Sequence, residues 1–121
     1  MGIKKILVVD DSATDRYLLT EILSRHGFEV ETADNGEEAF GKIQRNRPEL
    51  VLMDVVMPGK NGFQITRQMT RDPSLRDIPI MMCSIKDQET DRIWALSQGA
   101  CDYVVKPVDA QELLSKIAAL G

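Results

Sequence analysis

The chain has 121 residues, 43% of them hydrophobic, with 15 basic and 19 acidic side chains and a formal net charge of -4. That length suits a single domain over residues 1–121 with one core, and the scattered basic residues leave no electrostatic footprint for nucleic acid. No leader with a cleavage site is visible and no apolar run approaches the roughly 18 to 20 residues of a membrane span, so no membrane partner is expected and a cytoplasmic location is.

Taken in order, the apolar runs rich in β-branched residues are "KKILVV", "FEVETA", "LVLMD", "IPIMMCS" and "DYVVK", with helical patterns between them. The first helix is announced by Ser12 with Asp15 three residues on, a capping-box pattern, and its stripe of Leu18, Leu19, Ile22 and Leu23 ends before Gly27. Asn35 with Glu38 opens the second, which Arg47-Pro48 closes. Gly62 to Arg71 reads as the third, and the fourth runs from about Asp87 to Gln98, stopping at Gly99. Asp109 with Glu112 starts the last, carrying Leu113, Leu114, Ile117 and Leu120, and no effector domain is expected beyond it. Strands alternating with helices of this length predict an α/β fold whose sheet is parallel, doubly wound and covered on both faces.

In such a sheet the functional crevice lies beyond the carboxyl ends of the strands. Strand one ends at Asp10 and Asp11, strand three at Asp54, strand four at Ser84 and strand five at Lys106. At an effective dielectric near 20, a like-charge pair about 4 Å apart costs roughly 4 kcal/mol, so three carboxylates at one rim need an offset. A proton is one offset and a divalent cation the other. Oxygen-only ligands select magnesium or calcium over zinc, and the sparse donor set suits magnesium, with manganese able to take its place. Each Asp alone reads more simply as a cap or turn former; the joint pattern with Ser84 and Lys106 points to phosphoryl transfer, with Asp54 as a carboxylate nucleophile.

"ILVVDDS", "LVLMDVVMPGKNG", "IMMCS" and "DYVVKPVD" together resemble the receiver domain of bacterial two-component response regulators, the CheY-like fold, over essentially the whole chain. The resemblance implies a flavodoxin-like (βα)5 sheet of order 2-1-3-4-5. It implies that Asp54 accepts a phosphoryl group from a histidine kinase or a histidine phosphotransfer protein. It further implies that Asp11, Asp54 and the Val56 backbone carbonyl bind Mg2+, with Asp10 acting mainly through water. Ser84 and Lys106 would contact the phosphoryl group, the Lys106-Pro107 bond would be cis, and Tyr103 would be the aromatic switch, turning inward when Ser84 is drawn to the phosphate. The downstream partner would be a protein bound through the surface of the fourth helix, fifth strand and fifth helix, with Trp94 and Tyr103 on that surface. "KDQETDRIWALSQGA" and "KPVD" are similar to the stand-alone receivers of type IV pilus systems that govern twitching motility.

Other residues have plainer readings. Cys83 and Cys101 are expected to be small buried hydrophobes, Met57, Met81 and Met82 core or loop residues, and His26 a residue at a helix carboxyl end. Trp94 alone reads first as a partly buried packing residue. The bulk of Ile85, where the family often has a small residue, is expected to narrow access to the acceptor or obstruct Tyr103. Lys86 stands where family members tune the lifetime of the phosphorylated form. Three rival functions remain: an aspartyl-phosphate phosphatase dependent on magnesium, though such enzymes of the haloacid dehalogenase type space their acids two apart; a flavin carrier of flavodoxin type, whose phosphate loop "DDSATDR" does not match; and an interaction module that is never phosphorylated.

Overall fold

A computed structural model describes residues 2–121. Strands β1 (Lys5–Val9), β2 (Glu29–Ala33), β3 (Leu50–Met53), β4 (Ile80–Ser84) and β5 (Asp102–Val105) alternate with helices α1 (Ala13–Arg25), α2 (Gly36–Arg45), α3 (Gly62–Arg71), α4 (Glu89–Ser97) and α5 (Ala110–Leu120). All strand pairs are parallel, in the order β2-β1-β3-β4-β5, which is the doubly wound order expected. The direction in which successive strands are added to the sheet reverses between β1 and β3, and that reversal opens the crevice at their carboxyl ends.

Period-two alternation divides the sheet's side chains between two cores. Leu7, Val9, Val51, Met53, Ile80 and Met82 face one side, against Ala39 and Ile43 of α2, Ile65 and Met69 of α3 and Ala95 of α4. Ile6, Val8, Leu50, Leu52, Met81 and Cys83 face the other, against Leu19 and Leu23 of α1 and Leu113 and Ile117 of α5. The near-continuous apolar runs of β1, β3 and β4 are thus explained: neither face of a central strand meets water.

Helix entry follows short polar side chains. Ser12 Oγ accepts from the Asp15 N–H, Asn35 Oδ1 from Glu38, and Asp109 Oδ1 from Gln111 and Glu112, satisfying donors that have no partner within the helix. Two details depart from the sequence reading. The α4 helix begins at Glu89 rather than Asp87, because Asp91 turns back to accept from the Gln88 N–H and makes Gln88 the cap. The Ser12 pattern is only half a capping box: the Ser12 N–H donates to Asp10 Oδ1 instead, which leaves the Asp15 carboxylate free for another partner.

Several burial expectations are corrected. Cys83 is buried, but Cys101 is exposed, since the residue before β5 sits on the open edge of the sheet. Leu18 and Leu120 lie outside the buried stripes of α1 and α5. Trp94 is 52% exposed, half-buried as a partly buried residue should be, because α4 turns only Ala95 fully into the core and leaves part of the indole open. Met57, Met81 and Met82 are buried, and His26 caps α1 with its ring on the Ile22 carbonyl.

Candidate functional site

The sheet's own ladder builds the rim. The Asp10 N–H donates to the Ala33 carbonyl at 3.0 Å and the Asp54 N–H to the Val9 carbonyl at 2.9 Å, so both acids prolong β1 and β3 by one pairing step. Lys106 does the same for β5 through the Ser84 carbonyl, at 2.8 Å. Backbone pairing therefore fixes the spacing of Asp10, Asp54, Ser84 and Lys106 before any side chain is considered.

Carboxylate oxygens of Asp10, Asp11 and Asp54 come within 4.8 Å of one another; Asp10 and Asp54 are buried and Asp11 is exposed. Burial, and then the neighbouring Asp10 charge, push the Asp54 carboxyl up to about 6, against the pull of Lys106. The Lys106 ammonium lies 2.7 Å from Asp10, 2.9 Å from Asp15 and 3.6 Å from Asp54. Burial alone would pull the Lys106 pKa down, but its bonds to Asp10 and Asp15 and the Asp54 charge outweigh this and hold it above the ordinary lysine range. Three carboxylates (10, 15 and 54) share the Lys106 ammonium, and Asp11 adds a fourth acid to the rim, so four negative charges face that one positive charge when all are ionised.

That imbalance, with donors of oxygen only, suits a hard divalent cation. Asp10 has already committed both oxygens, Oδ1 to the Ser12 N–H and Oδ2 to Lys106, which leaves Asp11 and Asp54 with more free lone pairs. Beside them an open cleft lined by Asp11, Asp34, Gly36, Glu37, Pro58 and Lys60 leads to solvent.

Gly62 holds the acceptor from behind. Its N–H donates to the Val55 carbonyl, and a Cβ built on it would fall 2.1 Å from the Asp54 carbonyl oxygen, so only glycine lets α3 approach this closely. Asn61 caps α3 with Gln64 in a reciprocal capping box and fixes where the helix begins. Val56, in the loop between β3 and α3, is exposed, and its N–H draws the Asp54 pKa down slightly against the larger effects of burial and charge.

Ser84 is wholly buried, and its Oγ accepts from the Lys86 N–H at 3.2 Å. Tyr103 already points inward, 6% exposed, with its hydroxyl donating to the Lys86 carbonyl at 2.8 Å. Burial pushes its phenol up, opposed by the neighbouring Ser84 hydroxyl. Ile85 projects to solvent at 67% exposure, so its bulk does not obstruct the ring. Trp94 shares the outer side of α4 with exposed Ile93, whereas Tyr103 contributes no open surface in this conformation. The Lys106-Pro107 bond is cis.

The sequence reading missed Asp15 as a partner of Lys106. Its signal was hidden, because a Ser followed three residues later by an acid reads as a self-contained cap. Arg16 was missed too; its guanidinium donates to the Asp10 carbonyl at 2.7 Å and steadies the turn after β1.

Comparison with known proteins agrees with this geometry. The family model of the response regulator receiver domain matches residues 6–118. Protein PilH of Pseudomonas aeruginosa is 49% identical over 116 residues, covering 96% of this chain and 96% of that protein. The phosphate regulon transcriptional regulatory protein PhoB of the same organism is 37% identical over 97% of this chain, which spans only 51% of PhoB. Among solved structures, the chemotaxis protein CheY4 of Vibrio cholerae superposes with a TM-score of 0.90 at 30% identity, over 99% of this chain and 100% of that one.

Proposed function

Because this chain belongs to the response regulator receiver domain family, we propose that it is a phosphorylation-dependent signalling switch whose acceptor is Asp54. The observation that carries this reading is a buried carboxylate at the end of β3, facing one ammonium and crowded by two further acids. An oxygen of Asp54 attacks the phosphorus of a phosphohistidine on a histidine kinase or phosphotransfer protein. The new O–P bond forms as the P–N bond breaks, and its electron pair leaves with the imidazole, which ends the step neutral after proton exchange with water. Later attack of water on phosphorus releases inorganic phosphate and restores the carboxylate.

Mg2+, held by Asp11, Asp54 and the Val56 carbonyl, with Asp10 acting mainly through water, would neutralise charge on the transferring oxygens; Mn2+ would serve in its place. Lys106 takes up charge on one phosphoryl oxygen, and the Ser84 hydroxyl donates to another. Drawing Ser84 to the phosphate frees the Lys86 N–H it now accepts from, and so couples the acceptor to the segment that also holds Tyr103. The output is a change in affinity for a downstream protein at the α4–β5–α5 surface, where Trp94 stands exposed. The likeness to PilH and the "KDQETDRIWALSQGA" segment favour a stand-alone receiver of a type IV pilus chemosensory system acting in the cytoplasm on twitching motility. Among the described residues no helix is long and apolar enough to cross a membrane.

The deciding experiment is incubation with acetyl phosphate and Mg2+, followed by intact-mass measurement. One added phosphate is expected, absent in Asp54→Ala and absent without the metal. Sustained multi-turnover hydrolysis of a phosphomonoester that depends on Asp10 would instead establish the phosphatase reading. No phosphate uptake from any donor would leave the interaction module.

A further inference from the structure

The ammonium of Lys106 does not rest on the acceptor. It sits 2.7 Å from Asp10 Oδ2 and 2.9 Å from Asp15 Oδ2, both hydrogen-bond distances, and 3.6 Å from Asp54 Oδ1, which is not. The two anchors differ in what they can release. The Asp10 side chain is 2% exposed, so losing its cation would leave a buried charge unpaired, whereas the Asp15 side chain is 34% exposed and water can replace Lys106 there at little cost. Asp15 also has an independent source of stabilisation, because it stands in the first turn of α1, where the helix dipole favours a negative charge. Nor is it needed as a cap: the Ser12 N–H that a capping box would assign to it is bonded to Asp10.

We propose that Asp15 is a positioning residue that draws the Lys106 ammonium toward α1 and away from Asp54, and yields it when a phosphoryl group arrives on Asp54. This rests on the acceptor reading above. Asp15 and the phosphoryl oxygens compete for one cation, so the strength of the Asp15 contact sets how much of the phosphorylated form accumulates. A side chain one helical turn from the paired acids thereby acts on the acceptor without touching it.

The test uses the full chain with Mg2+ and beryllofluoride as the phosphoryl mimic, read by calorimetric titration, together with the 15N resonance of the Lys106 side-chain ammonium. Wild type, Asp15→Ala and Asp15→Glu are compared. Half-saturation by beryllofluoride is expected at about fivefold lower concentration in Asp15→Ala, with Asp15→Glu returning to the wild-type value. The Lys106 ammonium resonance of free Asp15→Ala should lie displaced from its free wild-type position toward that of the beryllofluoride complex, a signature that altered folding of α1 would not produce. Equal affinity in wild type and Asp15→Ala, or an unmoved ammonium resonance, overturns the proposal alone. Wild type that takes up neither beryllofluoride nor phosphate overturns the acceptor reading and this proposal with it.

Discussion

The two ends of the sheet treat a carboxylate in opposite ways. At the amino end, Glu49 lies just before β3 and accepts from the backbone N–H groups of Lys4 at 2.6 Å and Lys5 at 3.0 Å. Those two hydrogen bonds hold its carboxyl below the ordinary glutamate range. At the carboxyl end, Asp54 follows the same strand, but burial and then the Asp10 charge push it up to about 6. Parallel strands begin with free N–H groups at one end and finish with free carbonyls at the other, so at the carboxyl end N–H donors come only from the turns and helix starts, as Ser12 N–H does for Asp10. The acids gathered at the carboxyl edge outnumber its cations, and it is there that a divalent cation has something to gain.

Substitutions at the two ends should break the symmetry in proportion to burial. The largest effect is expected from Gly62→Ala, whose Cβ would collide with the Asp54 carbonyl at 2.1 Å. Moving α3 to relieve that overlap should cost about 2–3 kcal/mol in urea unfolding and also lower the rate of phosphate uptake, because the acceptor moves with it. Unchanged stability would show that α3 is not seated as described.

Next is Asp54→Asn in metal-free buffer at pH 7.5, which should stabilise the domain by on the order of 2 kcal/mol in the same assay, since a pKa raised from 3.8 to about 6 means that ionisation opposes folding. The sign follows from the direction of the shift. The contribution of Asp54 is fully present below pH 3.8 and is lost as pH rises through about 6, so metal-free wild type should weaken across that window and Asp54→Asn should not. Added Mg2+ should recover much of the loss in wild type and little in Asp54→Asn, measured by melting temperature. A metal-free profile identical for the two proteins would remove the charge imbalance from the account.

The smallest effect belongs to the other end. Glu49→Gln should lower stability slightly at neutral pH, with the difference vanishing as pH falls through the depressed Glu49 pKa. That is the reverse sign to Asp54, and a Glu49→Gln protein more stable than wild type at pH 7 would contradict the comparison between the edges.

The alternation of strands and helices and the rim were legible in the sequence because each rests on a short-range rule, whereas the strand order came only with the family resemblance. Apolar runs bounded by turn residues located β1, β3 and β4, and the carboxyl-end rule then carried Asp10, Asp54, Ser84 and Lys106 to one edge, where the ladder holds them. What was not legible depended on choices between two local partners. Ser12 N–H choosing Asp10 over Asp15 cannot be read from spacing, and that choice is what sends the Asp15 carboxylate to Lys106. The exposures of Trp94 and Cys101 likewise depend on how α4 and edge strand β5 lie on the sheet, a matter of packing rather than periodicity. Ile85 was judged by its size, whereas its direction decides its effect.

The half-exposed indole of Trp94 gives the molecule a native optical reporter. It is the sole tryptophan of the chain, and α4 displays it to water rather than burying it. Under excitation that the two tyrosines do not absorb, emission from unlabelled protein comes from one address, and a body that settles over the ring dries it and shifts its colour.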